Sequence, residues 1–279
     1  MTTTTTRTTS VETHPTPAAD VRPAAIRAEG LTLGYAGEPV VDGVDIDVEP
    51  GEILVVLGHS GCGKSTLLRA FAGLLRPLAG RVVADGGDVT GPDAERALVF
   101  QDDALLPWRT ARRNVELPLK LHGVARRERR RVAEQWLERV GLSRYAERLP
   151  GQLSGGMRQR VQLARALAGS PGLICMDEPF GALDAQTRGS MQQLLVETWA
   201  DSGCTVVFVT HDVDEAMVLA DRIVVLGRHG IVSEHRLLHP RDPGRPPRPE
   251  QRAEILEALT RTQSLAPVTR RTDPAKDLA

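Results

Sequence analysis

The chain has 279 residues, enough for one large domain or two small ones, and its shares of hydrophobic (41%) and charged (25%) residues are ordinary for a soluble globular protein. A net charge of -1 gives no electrostatic argument for binding nucleic acid, so we expect no nucleic-acid partner. The longest apolar runs, such as Ile53–Leu57, are only as long as a strand. A membrane span needs roughly 18–20 apolar residues, so any role at a membrane is expected to come through a partner.

The amino-terminal tail and the cysteines both bear on the compartment of the protein. Residues 1–26 begin with a run of threonines and lack the apolar stretch of a secretory signal peptide. We expect this tail to be disordered, because it cannot bury enough apolar surface to offset the entropy of ordering. Cys62, Cys175 and Cys204 are scattered and form no CxxC pair. This usage indicates a reducing cytosol, with neither a disulfide nor a metal-binding cysteine pair.

The first half of the predicted core domain, residues 27–239, changes from strand patterns to helical ones. Residues 44–48 alternate apolar and polar side chains, which predicts a half-exposed strand, and a Pro-Gly turn leads into the buried strand Ile53–Leu57. Apolar residues then recur at helical spacing, namely Leu67, Leu68, Phe71, Leu74 and Leu75. The pattern is helical again from about residue 104 to residue 166.

Within residues 104–166, one predicted helix carries an apolar face and an arginine-rich start. The apolar face consists of Val132, Trp136, Leu137 and Val140. The charged run at residues 126–131 is typical of a solvated helix face, and contact with a lipid headgroup or a protein partner is the alternative.

The second half of the chain returns to strands and then loses its pattern. We predict strands at residues 173–176, 206–209, 222–226 and 231–233. Residues 240–279 are interpreted as a linker rich in proline and arginine, a short helix and a disordered end. That helix is predicted to carry Ile255, Leu256 and Leu259 on one face.

A glycine-rich loop lies between the strand Ile53–Leu57 and the helix that follows it. The loop reads Gly58, His59, Ser60, Gly61, Cys62, Gly63, Lys64 and Ser65, followed by Thr66. Glycines let backbone N–H groups wrap closely around phosphates, and the start of the next helix adds a partial positive charge. Lys64 is expected to reach the β- and γ-phosphates of ATP, and Ser65 to place its hydroxyl on Mg²⁺. His59 is interpreted as a solvent-facing residue of this nucleotide-binding loop.

Four further polar residues follow predicted strands, at the sheet edge where ligands of α/β proteins bind. Asp177 is expected to hold Mg²⁺, and Glu178 to orient or deprotonate the attacking water. His211 is expected to polarise or sense the γ-phosphate, although a single histidine is more often structural. Gln101 could ligate Mg²⁺ or the attacking water, and composition alone does not decide this.

Tyr35 is the one candidate for contact with the nucleotide base. It is predicted to lie in a turn between Gly34 and Gly37, and aromatic residues make up only 3% of the chain. An aromatic side chain in such a turn could stack on adenine, and a plain surface loop residue is the alternative.

These motifs together resemble the ATPases of ABC transporters. The loop at residues 58–65 resembles Walker A, Gln101 the Q-loop, Leu153-Ser154-Gly155-Gly156 the signature, Asp177-Glu178 Walker B, Ala182-Leu183-Asp184 the D-loop and His211 the switch histidine. The resemblance covers roughly residues 27–235. It implies an α/β P-loop NTPase core with an antiparallel β subdomain and an inserted helical subdomain.

The resemblance also implies partners and a place in the cell. Two copies of the chain would pack head to tail, so that Ser154, Gly155 and Gly156 of one copy cap the γ-phosphate held by Lys64 of the other, with Asp184 nearby. The helical insertion would dock on membrane-spanning permease subunits at the cytoplasmic face of the membrane. An external solute-binding protein would take part indirectly.

A narrower resemblance follows Gln101. The run Leu105-Leu106-Pro107-Trp108-Arg109-Thr110, then Asn114-Val115, is similar to the nitrate, sulfonate and taurine branch of bacterial importers, which also includes importers of vitamin precursors. Met157 departs from the family, where glutamine often follows the two glycines. The alternatives are an ABC ATPase that acts on nucleic acid or ribosomes, and an inactive regulatory cassette, which would be expected to lack Glu178 or His211.

Overall fold

The computed structural model describes residues 21–101, 104–228, 230–238, 240–241 and 248–264. In chain order the strands are Ile26–Tyr35 (β1), Glu38–Val48 (β2), Ile53–Leu57 (β3), Ala79–Ala84 (β4), Gly87–Asp88 (β5), Arg96–Val99 (β6), Leu173–Asp177 (β7), Thr205–Thr210 (β8), Arg222–Gly227 (β9) and Gly230–Arg236 (β10). The α-helices are Lys64–Phe71 (α1), Ala111–Leu121 (α2), Arg126–Arg139 (α3), Gly155–Ala168 (α4), Ala185–Ser202 (α5), Val213–Leu219 (α6) and Pro249–Ser264 (α7). None of the described helices is both long enough and apolar enough to cross a membrane.

The central sheet has the strand order β10-β9-β3-β8-β7-β6. Neighbouring strands from β9 to β6 are parallel, and β10 pairs antiparallel with β9 at one edge. Strands β3, β7 and β8 are buried along their whole length, which explains their continuous apolar sequences. Parallel pairing also brings the carboxyl ends of these three strands to one edge of the sheet.

Successive side chains of β3 point into two different hydrophobic cores. Ile53, Val55 and Leu57 pack in the core that contains the inserted helices α2, α3 and α4. Leu54 and Val56 pack on the opposite face, in the core shared with α1 and the second sheet. Strand β3 therefore contributes side chains to both cores.

The second sheet is antiparallel, with the order β2-β1-β4-β5. The half-exposed strand predicted at residues 44–48 is confirmed within β2, where Val44, Ile46 and Val48 are buried and the aspartates between them are exposed. Together with the parallel sheet and the inserted helices, this sheet confirms the predicted fold class.

The apolar face predicted for the arginine-rich helix is confirmed in α3. Val132, Trp136, Leu137 and Val140 are all buried in the core with α2 and α4. The three cysteines are also buried and unpaired. Burial raises the pKa of each thiol, and that of Cys175 reaches about 12.

The helix after the glycine loop ends earlier than its predicted apolar face, which continued to Leu75. Helix α1 ends at Phe71, and the side chain of Leu74 is half exposed. Gly73 adopts a left-handed φ of 76°, and the N–H groups of Gly73 and Leu74 donate to the carbonyls of Ala70 and Arg69. This hydrogen-bond pattern closes a helix end, so the chain turns away before Leu74.

The carboxyl-terminal helix was predicted as short, with Ile255, Leu256 and Leu259 on one face. Helix α7 instead has 16 residues. Ile255 and Leu259 are buried as predicted, but Leu256 is 39% exposed and Ala258 is buried in its place. A helical period of 3.6 residues places positions 255, 258 and 259 on one face and rotates position 256 away from it. Residues 242–247 of the predicted linker and the predicted disordered end of the chain lie outside the described residues.

The packed part of the chain begins before residue 27. Ala24, which was assigned to the tail, is buried. Its N–H donates to the carbonyl of Gly172 at 3.1 Å, and its carbonyl accepts a hydrogen bond from the Thr205 hydroxyl at 2.7 Å. These backbone contacts attach the segment to the starts of β7 and β8. Residues 1–20 lie outside the described residues.

A buried cluster of charged side chains connects the two sheets. Arg222, at the start of β9, donates to both carboxylate oxygens of Glu52, at 2.6 and 3.0 Å, and to Glu234 on β10 at 3.0 Å. It also donates to the carbonyl of Asp47 on β2. Burial alone would lower the pKa of Arg222, but the hydrogen bonds to the two glutamates outweigh burial and raise it. The side chains of Arg222 and Glu52 are 3% and 6% exposed, so neither charge can be hydrated if its partner is removed.

The substitution Arg222→Met is expected to lower the free energy of unfolding by about 3–5 kcal/mol, because it leaves the Glu52 carboxylate buried without a cationic partner, with the N–H of Glu49 still donating to it. Urea denaturation followed by circular dichroism measures the change. The double variant Arg222→Met with Glu52→Gln removes both charges and should recover most of the loss. Equal losses in the single and double variants would show that the charge pair is not the cause.

Candidate functional site

The glycine-rich loop connects the carboxyl end of β3 to the first turn of α1. Gly63 precedes α1 with a left-handed φ of 101°, a conformation that side-chain-bearing residues rarely adopt. A Cβ atom on Gly63 would lie 2.2 Å from Cγ2 of Val41, closer than two carbon atoms can approach. Both facts explain why a glycine is needed directly before Lys64.

Lys64 lies inside the curve of this loop. Its side-chain ammonium donates to the carbonyls of Gly58 and His59, at 2.7 and 2.9 Å, and the residue is only 6% exposed. The charge is therefore held at the start of α1, where the partial positive charge of the helix also acts. An ammonium and a helix N-terminus at the same point form a site for phosphate groups.

Ser65 and Asp177 meet although they are 112 positions apart in the chain. The Ser65 hydroxyl donates to the Asp177 carboxylate at 3.0 Å. Burial raises the pKa of Asp177, the hydrogen bond from Ser65 opposes this, and the neighbouring Glu178 carboxylate raises it further. A buried carboxylate beside a hydroxyl is a pair of hard oxygen ligands, which is the donor set that Mg²⁺ prefers.

The oxygens of Ser65 and Asp177 are too few to complete the coordination of a Mg²⁺ ion. No group of three or more His, Cys, Asp and Glu side chains in the described part of the chain could hold a metal ion. A Mg²⁺ ion between Ser65 and Asp177 would therefore take its remaining ligands from phosphate oxygens and water, as this ion commonly does.

Glu178 and His211 lie beside each other just after the carboxyl ends of β7 and β8. The Glu178 carboxylate lies 3.0 Å from Nδ1 of His211, and the histidine side chain is 69% exposed. Glu178 has a left-handed φ of 44°, which costs a residue with a side chain about 1–3 kcal/mol. The hydrogen bond from its N–H to the carbonyl of Val209 on β8 holds this conformation. Backbone strain of this kind is concentrated at functional sites.

These groups surround a cavity of about 530 Å³. It brings together most of the predicted site residues: His59, Ser60, Gly61, Gly63, Lys64, Ser65, Thr66, Gln101, Glu178 and His211. Sequence reasoning missed Val40 of β2, which also lines the cavity. No signal in the sequence marks this valine, since it reaches the cavity only because the second sheet packs beside the glycine loop.

Other predicted nucleotide-binding residues lie beside or beneath the cavity. Cys62 is buried under the loop, where its N–H donates to the carbonyl of His59 at 3.3 Å. Tyr35 is the last residue of β1 and does not lie in the predicted turn. Its hydroxyl accepts a hydrogen bond from Arg69 at 2.9 Å, and its ring is not part of the cavity wall among the described residues.

The interpretation of His59 as a solvent-facing residue was wrong. His59 is half buried, and its Nε2 lies 2.8 Å from the carbonyl oxygen of Leu259 on α7. A carbonyl oxygen can only accept, so Nε2 carries the proton and donates. The two residues are 200 positions apart, and no local pattern could have indicated the contact.

Ser154 and Gly155 of the second glycine motif are exposed at the start of α4, and no residue of the motif lines the cavity of its own chain. The Ser154 hydroxyl caps α4 by accepting from the N–H of Met157 at 3.2 Å, and Gly155 and Gly156 form the first turn. Asp184 caps α5 in the same way through Thr187, and these hydrogen bonds lower the pKa of Asp184.

The parallel sheet, the phosphate-binding loop and the carboxylates at its edge define a P-loop nucleoside triphosphatase. The family model for ABC transporters matches residues 41–181. The taurine import ATP-binding protein TauB of Chromobacterium violaceum is 52% identical over 205 residues, covering 73% of this chain and 78% of that protein. The nitrate import ATP-binding protein NrtC of Synechococcus elongatus is 46% identical over 216 residues, covering 77% of this chain and 32% of that protein.

A solved structure gives the same result. The dimeric ATP-binding cassette MJ0796 bound to ADP and Pi is 34% identical, with a TM-score of 0.72 over 77% of this chain and 99% of that chain. The chain therefore belongs to the ABC transporter family, and it is an ATPase of that family.

Replacing Gly63 by alanine is expected to remove ATP binding, because the new Cβ overlaps Val41 and the loop must move. Gly61→Ala is the matched control, since Gly61 also has a left-handed φ, of 81°, but a Cβ there meets nothing within 4 Å. The control should weaken binding only by the cost of backbone strain, about 1–2 kcal/mol. Equilibrium binding of a fluorescent ATP analogue compares the two, and equal affinities would contradict the role of the Val41 contact.

Proposed function

We propose that this chain is the ATP-hydrolysing subunit of an importer for a small anion such as a sulfonate or nitrate, at the cytoplasmic face of the membrane. The observation that carries the proposal is the 52% identity to a taurine import ATP-binding protein over most of both chains. The similarity to a nitrate import protein adds to it. Both names favour uptake over action on nucleic acid or ribosomes.

Hydrolysis follows from the positions of three side chains. Lys64 and the loop amides bind the β- and γ-phosphates, and Glu178 accepts a proton from a water that attacks the γ-phosphorus. The bond from that phosphorus to the bridging oxygen breaks, and ADP carries the electron pair away. His211, 3.0 Å from Glu178, orients this carboxylate and donates to the γ-phosphate oxygens.

Three roles complete the site on one chain. Ser65 and Asp177 hold Mg²⁺, which offsets the charge of the phosphates when it is bound with ATP. Gln101 on the cavity wall is placed to contact the metal or the attacking water. Tyr35, which lies outside the cavity wall of the described residues, is proposed to stack on adenine.

A second copy of the chain supplies the rest of the site. Ser154, Gly155 and Gly156 lie at an exposed helix start and not at their own cavity, which supports a role at a partner's γ-phosphate. Asp184, which caps the start of α5, is proposed to join the same dimer contact. The dimeric state of the solved ATP-binding cassette supports this arrangement.

The permease is proposed to dock beside α2. Asn114 is fully buried, its Oδ1 accepts from the N–H of Leu106, and its Nδ2 donates to the carbonyls of Arg109 and Thr110. These bonds fix the loop before α2, and they leave the Trp108 side chain 71% exposed. A large aromatic residue held outward on a rigid loop is the usual anchor of a protein interface.

A basic hollow of about 420 Å³ adjoins Trp108. It is lined by Trp108, Arg109, Arg112, Arg113, Glu116, Arg126, Arg129 and Arg130. The arginine-rich run was predicted as a solvated helix face, with a partner contact as the alternative, and Arg109, Arg126 and Arg129 make no ion pair with any described residue. Unpaired arginines beside Trp108 suit a permease segment that carries acidic side chains.

The variant Glu178→Gln is expected to bind ATP with unchanged affinity and to lose turnover by at least about a hundredfold, because glutamine cannot accept the proton from water. Phosphate release and nucleotide affinity are measured in parallel on the purified protein. Near-normal hydrolysis in this variant would remove Glu178 from the proposed role.

The transport proposal is tested by purifying tagged Glu178→Gln protein with ATP from detergent-solubilised membranes of its natural source. A multi-span permease should co-purify, and a solute-binding protein of the same system can then be tested against taurine and nitrate. The matched control adds Trp108→Ala, which should lose the permease and keep its ATP affinity. Ribosomal or DNA-repair proteins without a permease would overturn the transport assignment.

A further inference from the structure

The carboxyl-terminal helix α7 contacts the phosphate-binding loop and helix α6, which follows His211. It packs against β9, β10 and α6, and Ile255, Ala258 and Leu259 are its buried residues in the core. The contact between His59 and Leu259 joins it to the phosphate-binding loop.

The same helix is joined to the segment that follows His211. Arg252 forms a two-point ion pair with Asp214, at 2.6 and 2.9 Å. Asp214 lies in the first turn of α6, two residues after Asp212, whose side chain caps this helix. Helix α7 is thus connected to the loop that holds the β- and γ-phosphates and to the helix next to His211.

His59 uses both its backbone carbonyl and its ring in the contact between the loop and α7. The carbonyl of His59 accepts a hydrogen bond from Lys64, while the ring of the same residue donates to Leu259. The backbone and the side chain of His59 therefore connect the phosphate-binding ammonium with α7 through a single residue. The Leu259 carbonyl also accepts from the Thr262 hydroxyl at 2.6 Å, which fixes the acceptor near the end of the helix.

We infer that His59 is a positioning residue, and that α7 acts through it to hold the phosphate-binding loop in the shape that binds ATP. When α7 is docked, the loop is already ordered, and less conformational entropy is lost on binding the nucleotide. By reciprocity, bound nucleotide stabilises the docked helix by the same factor. The inference depends on the nucleotide site and not on which solute is carried.

Two substitutions of His59 distinguish the loss of its hydrogen bond to Leu259 from other effects of replacing the histidine. A glutamine amide nitrogen reaches the position of the histidine Nε2 and can donate to the Leu259 carbonyl, whereas an asparagine amide nitrogen reaches only the position of Nδ1. His59→Asn is expected to weaken binding of a non-hydrolysable ATP analogue roughly two- to tenfold, the usual net effect of one hydrogen bond. His59→Gln should bind like the natural chain.

A second measurement follows amide hydrogen exchange in α7 itself. In the natural full-length chain, the analogue should slow amide hydrogen exchange of residues 255–262 by about the same two- to tenfold factor. The slowing should persist in His59→Gln and disappear in His59→Asn. Leu256→Ala is the control within α7, because Leu256 faces away from the core, and it should change neither quantity.

Three outcomes would overturn the inference. Exchange in α7 of the natural chain that does not respond to the analogue would show that the helix and the site are not coupled. An affinity of His59→Asn equal to that of the natural chain would show that the contact has no effect on binding. Equal weakening in the asparagine and glutamine variants would place the effect of His59 within the loop itself and not in its contact with α7.

Discussion

Parallel pairing of β3, β7 and β8 is the constraint on which the rest of the site depends. Each strand is buried on both faces, so its polar residues can stand only where it ends. All three strands run in the same direction, and their carboxyl ends therefore meet. Asp177 is the last residue of β7, while Lys64 and His211 follow β3 and β8, so residues from distant parts of the chain come together at this edge.

The sheet also explains how the separate parts of the molecule act as one body. Strand β3 contributes to both cores, and the Arg222 cluster joins β9 and β10 to β2 of the second sheet. The cavity wall draws on both sheets, since Val40 belongs to β2 and Lys64 follows β3. A displacement between the sheets would therefore change the shape of the nucleotide site directly.

The parts that sequence could predict are those fixed by short-range rules. The glycine loop is local, and its conformation follows from Gly63 and the helix that starts at Lys64. The buried strands follow from continuous apolar runs. Contacts between distant segments carry no such signal, which is why the bond from His59 to Leu259 was missed. Leu74 and Leu256 were misplaced for a related reason, because helix ends and helix faces were each judged from apolar spacing alone.

The burial of every cysteine has a practical consequence for physical studies of this protein. Cys62, Cys175 and Cys204 are 5%, 0% and 2% exposed, and burial raises the pKa of each thiol. Thiolates are the reactive form, so all three should react slowly with maleimide labels in the folded state. A cysteine introduced at an exposed position such as Leu121, at the end of α2, would then be the single labelled site. Motions of the inserted helices could be followed with a spectroscopic probe there, without removing any natural thiol.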